Sequence, residues 1–351
     1  MLRACVRASG RAVGGDGRVA GACRHIPFEG IPFYLLFSRP FYPFLHFFPR
    51  CWQARVLAGT VADRLAVGAG IRGITVREAL CQADQHIGDV DARMLMQQVL
   101  DASHAYLIVH SDQVLTAEQA QKFRQLIERR VAGEPIAYIT GKREFYGMDF
   151  VVSPSVLIPR PETELLVDLA LERIPSNRTV RILDLGTGSG AIAIAIAKCR
   201  PLALVTAVDI SPGAAAIARA NMRQHDVDNL SIVEGDWFGG VAGEIFDLIV
   251  ANPPYVARAD PHLSQGDLRF EPPIALSGGE DGLDCLRQII AAAPAHLAES
   301  GSLLVEHGYD QAEICRELLD IADYDAVFTC PDLAGIMRVS GGFCPGSIVR
   351  Q

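Results

Sequence analysis

The sequence predicts an α/β fold, a parallel sheet covered by helices on both faces, preceded by a small helical domain. Three observations carry this. Apolar residues recur at helical spacing between Thr75 and Arg130. The period changes at Gly141, and prolines 154, 159 and 161 punctuate the chain soon after. From Val180 onward, strand-like and helix-like segments alternate, the pattern of a sheet whose strands are joined by crossover helices.

Residues 1–72 stand apart. They hold ten arginines against three acids (Asp16, Glu29 and Asp63), a balance of +7. The whole chain carries −9, so the remaining 279 residues carry −16. An aromatic-rich stretch, Ile31–Trp52, is broken by Pro32, Pro40, Pro43 and Pro49. Its longest proline-free apolar run is Phe33–Phe37, far short of the roughly 18 residues that cross a bilayer. No membrane association is expected. The Arg-rich, acid-poor start fits either an organelle transit peptide or an upstream stretch outside the working protein. Arginine is the preferred base throughout, since Lys122, Lys142 and Lys198 are the only lysines. That favours the second reading and a cytoplasmic location, with a mitochondrial one tied to the first.

Val76, Ala79, Leu80 and Ala83 share one helical face, as do Ala92, Leu95, Met96 and Val99. Ala120, Phe123, Leu126 and Ile127 repeat the pattern. Thr116 with Gln119 has capping-box spacing, and Glu118 puts an acid in that first turn. Residues 73–140 are therefore expected as a helical domain, with its bundle ending near Arg130. Met148, Phe150 and Val152 alternate after Gly147, which predicts a hairpin. Residues 141–161 are assigned to hairpin and linker, and 162–351 to the catalytic domain. There, strands are expected at Val180–Leu185, Ala203–Val208, Leu230–Val233, Phe246–Ala251 and Ser302–Glu306. Helices are expected at Ala191–Cys199, Pro212–His225, Leu283–Ala293 and Gln311–Ile321.

Ligands of such sheets sit beyond the carboxyl ends of the strands, and four motifs fall there. Asp184–Leu185–Gly186–Thr187–Gly188–Ser189–Gly190 follows the first strand. Its glycines let the backbone turn sharply and approach a bulky ligand, and a helix N-terminus lies behind them. The spacing differs from that of a dinucleotide fingerprint. Asp209 ends the second strand and can accept from ribose hydroxyls; Ser211 is the better cap for the next helix. Asp236 and Trp237 follow the third strand. The acid could take an adenine amino group and the ring could cover the base, or Trp237 could be core.

Asn252–Pro253–Pro254–Tyr255 follows the fourth strand and is the most specific signal. Two prolines remove two N–H donors and stiffen the turn. The Pro253 carbonyl and the Asn252 side-chain oxygen are left as fixed acceptors for a planar NH₂ group, on which Tyr255 can stack.

Residues 73–342 resemble the release-factor glutamine methyltransferases, the PrmC/HemK family. The matching segments include Gly133–Tyr138, Arg143–Phe145, Ile158–Glu164, Asp260–Leu263, Arg269–Pro272, Glu306–Gly308 and Asp332–Gly335, beside the glycine loop and Asn252–Tyr255. Asn-Pro-Pro-Tyr alone also occurs in adenine methyltransferases and in a ribosomal-protein glutamine methyltransferase. The resemblance implies a class I, Rossmann-like methyltransferase fold with seven strands, one of them antiparallel. It implies S-adenosylmethionine as cofactor and the glutamine of a Gly-Gly-Gln loop in peptide chain release factors as substrate.

On this reading the cofactor meets Gly186, Thr187, Gly188, Ser189, Gly190, Asp209, Asp236, Trp237 and Asn252. The acceptor amide meets Asn252, Pro253, Pro254 and Tyr255. Arg160 and Glu162 border the cleft, either as substrate contacts or as an interdomain ion pair. No dedicated general base is required.

The nine cysteines form no CxxC pair, no metal spacing is present, and His262, His296 and His307 are taken as structural or surface residues. The acidic body lacks the basic groove that nucleic acid would require. Three rival readings remain: an adenine-N6 nucleic-acid methyltransferase, a ribosomal-protein glutamine methyltransferase and a non-catalytic adenosylmethionine-binding module.

Overall fold

The computed structural model describes residues 73–346. The expectations for residues 1–72 lie outside the described residues.

The first domain is helical. Helices α1 (Val76–Ile87), α2 (Asp89–Leu100), α3 (His104–Val109) and α4 (Ala117–Val131) close around Val76, Leu95, Met96 and Ile127, all fully buried. The capping box at Thr116 forms as expected: the Gln119 side chain accepts from the Thr116 N–H at 2.9 Å and the Thr116 hydroxyl from the Gln119 N–H at 3.1 Å. Thr75 and Glu78 form a second box at the start of α1. The bundle does not end near Arg130. A further turn, α5 (Ile136–Thr140), starts at Pro135, which stands at its N-cap. Its Ile139 completes the helical core.

Strands β1 (Lys142–Phe145) and β2 (Met148–Val151) form the expected antiparallel hairpin. It is more than a connector. Phe145 and Phe150 are buried in the same cluster as Leu166, Ile182 and Ile194 of the following domain. Burying a phenylalanine side chain contributes about 1.5–3 kcal/mol, so the hairpin is anchored to the body.

Helix α6 (Glu164–Arg173), not among the expected elements, opens the body, which then alternates as predicted: β3 (Arg181–Leu185), α7 (Ala191–Cys199), β4 (Leu204–Asp209), α8 (Pro212–Gln224), β5 (Leu230–Glu234) and β6 (Phe246–Ala251). Helix α9 (Asp284–Ala292), β7 (Leu297–Glu306), α10 (Ala312–Ile321), β8 (Asp325–Pro331) and β9 (Met337–Phe343) complete it. Strand β7 begins at Leu297 rather than Ser302, and its register against β6 shifts between Phe246 and Leu248. The sheet order is β5-β4-β3-β6-β7-β9-β8. Only β9 runs against its neighbours, β7 and β8. Separate apolar clusters cover the two faces of the sheet.

The reversal of chain order around β3, with β4 on one side and β6 on the other, opens a crevice at the strand ends. Several resembling segments serve the scaffold. Asp332 caps the β8–β9 turn by accepting from Ala334 and Ile336 N–H at 2.9 and 3.0 Å. Arg269 donates to the Ala132 carbonyl at 2.7 Å, and Arg130 spans Asp91 and Asp267, which ties the helical domain to the body.

Candidate active site

The four motifs converge on one cavity of about 640 Å³. Gly186, Gly188, Asp209, Asp236, Trp237, Asn252 and Pro254 line it. Thr187, Ser189, Gly190, Pro253, Tyr255, Arg160 and Glu162 do not.

The glycine loop is held by backbone. The N–H groups of Gly186 and Thr187 both donate to the Val208 carbonyl, at 2.9 and 3.0 Å. Gly190 sits at φ 82° as the N-cap of α7. A Cβ there would also crowd Ala218 at 3.2 Å, so both conformation and space require glycine. Behind the loop, Asn221 is fully buried and donates to the Ser189 carbonyl at 2.8 Å. The same side chain exchanges two bonds with the Val151 backbone, and so links hairpin, glycine loop and α8.

Asp209 accepts from the Gly188 N–H at 2.8 Å and from the Ser211 N–H at 2.9 Å. Burial raises its pKa, against those two backbone donors. Ser211, not Asp209, caps α8, accepting from Ala214 N–H at 3.2 Å. Trp237 holds a left-handed backbone, φ 45°, uncommon for a bulky residue and a mark of local strain. In exchange its ring lies over Gly186, where an added Cβ would meet it at 3.4 Å.

Asp184, passed over as a site residue, is fully buried at the end of β3. Its Oδ2 accepts from the Thr187 hydroxyl at 2.6 Å, while Oδ1 has no partner. Burial pushes its pKa up to about 7. A buried carboxylate oxygen left unpaired is costly, and a cation bound nearby would relieve it, although Asp184 does not itself line the cavity. The signal was present in the sequence, an acid at the strand end inside the first motif.

Asn252 follows β6. Its Nδ2 donates to the Thr163 hydroxyl at 3.1 Å, which leaves Oδ1 as the acceptor for the cavity. The Tyr255 hydroxyl reaches Glu306 Oε1 at 3.4 Å. Beneath the turn, Val256 bridges Ser277 in parallel, and Gly278 packs so closely that a Cβ would meet the Pro254 carbonyl at 2.5 Å. The Asn252–Tyr255 turn is thus set by a loop about 25 residues downstream, with no signal in the turn itself.

Arg160 pairs with Glu271, whose side chain is fully buried and also accepts from Ile158 N–H at 3.1 Å. Of the two roles weighed for Arg160, the ion pair forms, and its partner is Glu271 rather than Glu162. Glu162 is exposed. His307 is buried between the Gly308 carbonyl and Ser340, at 2.9 and 3.0 Å, which suits a structural role. Among the described residues no group of three or more His, Cys, Asp or Glu side chains could hold a metal ion. Among them, too, no helix is long and apolar enough to cross a membrane.

Residues 75–141 match the family described as PrmC N-terminal domain, and residues 163–266 the methyltransferase small domain. A release factor glutamine methyltransferase of Xylella fastidiosa is 49% identical over 267 residues, 76% of this chain and 97% of the relative. One of Bordetella pertussis is 47% identical over 262 residues, 74% of this chain and 97% of the relative. A solved protein-(glutamine-N5) methyltransferase from Alicyclobacillus acidocaldarius is 31% identical with TM-score 0.36, covering 56% of this chain and 99% of its own. With about half of the aligned residues identical along nearly the full length of such relatives, the chain belongs to the release factor glutamine methyltransferase family.

Proposed function

We propose that this chain transfers a methyl group from S-adenosylmethionine to the side-chain amide nitrogen of the Gly-Gly-Gln glutamine in peptide chain release factors. The observation that carries the acceptor assignment is the Asn252–Thr163 hydrogen bond of 3.1 Å. It holds Nδ2, through one of its two N–H groups, on the Thr163 side, so the amide is turned with Oδ1 the other way, as an acceptor. An acceptor there suits an NH₂ substrate and would repel a carboxylate.

The cofactor supplies a methyl group already activated on a sulfonium, so the remaining difficulty is the nucleophile. An amide nitrogen shares its lone pair with its carbonyl. Asn252 Oδ1 and the Pro253 carbonyl would each take one amide hydrogen and orient the nitrogen. Such alignment lowers a barrier by up to about 7–11 kcal/mol, and the two dipoles stabilise positive charge developing on nitrogen. The methyl's bond to sulfur would break with the electron pair left on the thioether S-adenosylhomocysteine, and the strongly acidic nitrogen would then lose its proton to water.

The cavity suits the cofactor on two counts. Asp209 presents a carboxylate for ribose hydroxyls and Trp237 a ring for the base; Asp184, outside the lining, keeps a buried oxygen without a partner. The substrate implies a location where translation terminates, the cytoplasm.

Labelled S-adenosylmethionine with purified release factor, beside DNA and RNA, tests this. Label should appear on the loop glutamine when the product is mapped. Label on adenine, or on no glutamine, would overturn the assignment.

A further inference from the structure

Glu306 ends β7 directly behind the proposed acceptor site and is 1% exposed. Its Oε1 accepts from Tyr255 at 3.4 Å, and its Oε2 has no hydrogen-bond partner. The Thr163 hydroxyl stands beside it and eases its charge. Thr163 is itself 4% exposed and accepts from Asn252 Nδ2.

We propose that Glu306 is a positioning residue, which acts through the Thr163 hydroxyl to keep Asn252 Oδ1 facing the substrate and through the Tyr255 hydroxyl to hold that ring. The inference rests on Asn252 being the acceptor clamp.

The reasoning is a count of protons. A threonine hydroxyl carries one hydrogen and two lone pairs. While it accepts from Asn252, its own hydrogen must go elsewhere, and Glu306 is the acceptor beside it. An ionised carboxylate can only accept, so the direction of the chain is fixed from Glu306 outward. A neutral amide at position 306 could donate to Thr163 instead. Thr163 would then donate to Asn252, the Asn252 amide would turn over, and Nδ2 would face the substrate NH₂, donor against donor.

Burial pushes the Glu306 carboxyl up to about 7, with Glu162 raising it further and Arg338, Thr163 and Tyr255 lowering it. The neighbouring His307 bonds Ser340 and the Gly308 carbonyl instead. Protonation of Glu306 near neutrality would therefore loosen the clamp.

Three variants of the full chain test this: Glu306→Gln, Thr163→Val and Thr163→Ser. The first two should lower kcat by up to about 100-fold, the cost of misplacing a reacting group. Cofactor affinity and substrate KM should hardly change, and Thr163→Ser should retain most of the rate. Wild-type kcat should fall as pH drops through 7, while Glu306→Gln should be flat there. A substrate-free reading comes from the Asn252 side-chain amide signal in NMR, assigned by its loss in Asn252→Ala. That signal should titrate near pH 7 in the wild type and in neither Glu306→Gln nor Thr163→Val.

Wild-type kcat in Glu306→Gln, or an amide signal indifferent to pH and to both substitutions, overturns the proposal. If the amide signal titrates as expected but release factor is never labelled, the positioning chain stands and the substrate assignment falls.

Discussion

The two ends of the cavity are built on opposite principles. At the proposed cofactor end, backbone does the holding. Gly186 and Thr187 hang on the Val208 carbonyl, and each oxygen of Asp209 takes a backbone N–H. At the proposed acceptor end, side chains hold side chains: Asn252 on Thr163, Thr163 beside Glu306, Tyr255 on Glu306. The backbone donors of the first arrangement do not titrate near neutrality. The second depends on which way a few hydrogens point. A cofactor site must hold one invariant ligand, whereas an acceptor site must discriminate an amide from a carboxylate. Directional side-chain chains give that discrimination.

Asn252→Ala should separate the two ends most sharply. Turnover should fall by about 100- to 1,000-fold, the loss expected when one preorganised polar group is removed from a transition state. Cofactor affinity by calorimetry should change little. Replacing the target glutamine of the release factor with glutamate should abolish methylation as well. A variant Asn252→Ala with the wild-type rate would remove the amide clamp.

Asp209→Ala should do the reverse, weakening the cofactor while leaving kcat at saturation nearly intact. Hydrogen bonds to a charged group contribute about 1.5–3 kcal/mol, roughly ten- to hundredfold in affinity. Part of the effect would come from Gly188 and Ser211, whose N–H groups lose their acceptor. Unaltered affinity would take Asp209 out of the site.

Asp184 allows a pH test within the cofactor end. Its carboxyl lies above its ordinary value, at about 7. The free protein therefore favours the protonated form, and that contribution to stability is present at low pH and lost as pH rises through 7. A cationic cofactor favours the carboxylate. Affinity should therefore drop as pH falls below 7, by at most about tenfold per pH unit. Asp184→Asn should remove the slope. A flat profile in the wild type would show that no cationic group of the ligand lies near Asp184.

The smallest effect is expected outside the cavity. A chain starting at Gly73 should fold and methylate like the full one, since the family match begins at residue 75. Loss of activity on that truncation would show that residues 1–72 contribute to the working protein.

The helical face of the first domain, the alternating body and all four strand-end motifs were legible in the sequence. Each rests on local rules: helical spacing, proline and glycine stereochemistry, and the position of motifs after strands. Strands β8 and β9 were not individually legible. They lean on each other and on β7, and Gly341 and Gly342 weaken any strand signal in β9. The added helix α5 was missed because Pro135 reads as a break, although at the N-cap it opens a helix.

What the sequence by itself determined was therefore the set of groups on one sheet edge: Gly186, Gly188, Asp209, Asp236, Trp237, Asn252 and Pro254 all line the cavity. What the tertiary structure alone decided was their partners. Thr163 lies 89 residues from Asn252, Glu306 lies 51 from Tyr255, and Glu271 lies 111 from Arg160. No local pattern encodes such pairings. They follow from burial, because a polar group closed away from water must find its partner among whatever side chains the fold brings to the same place.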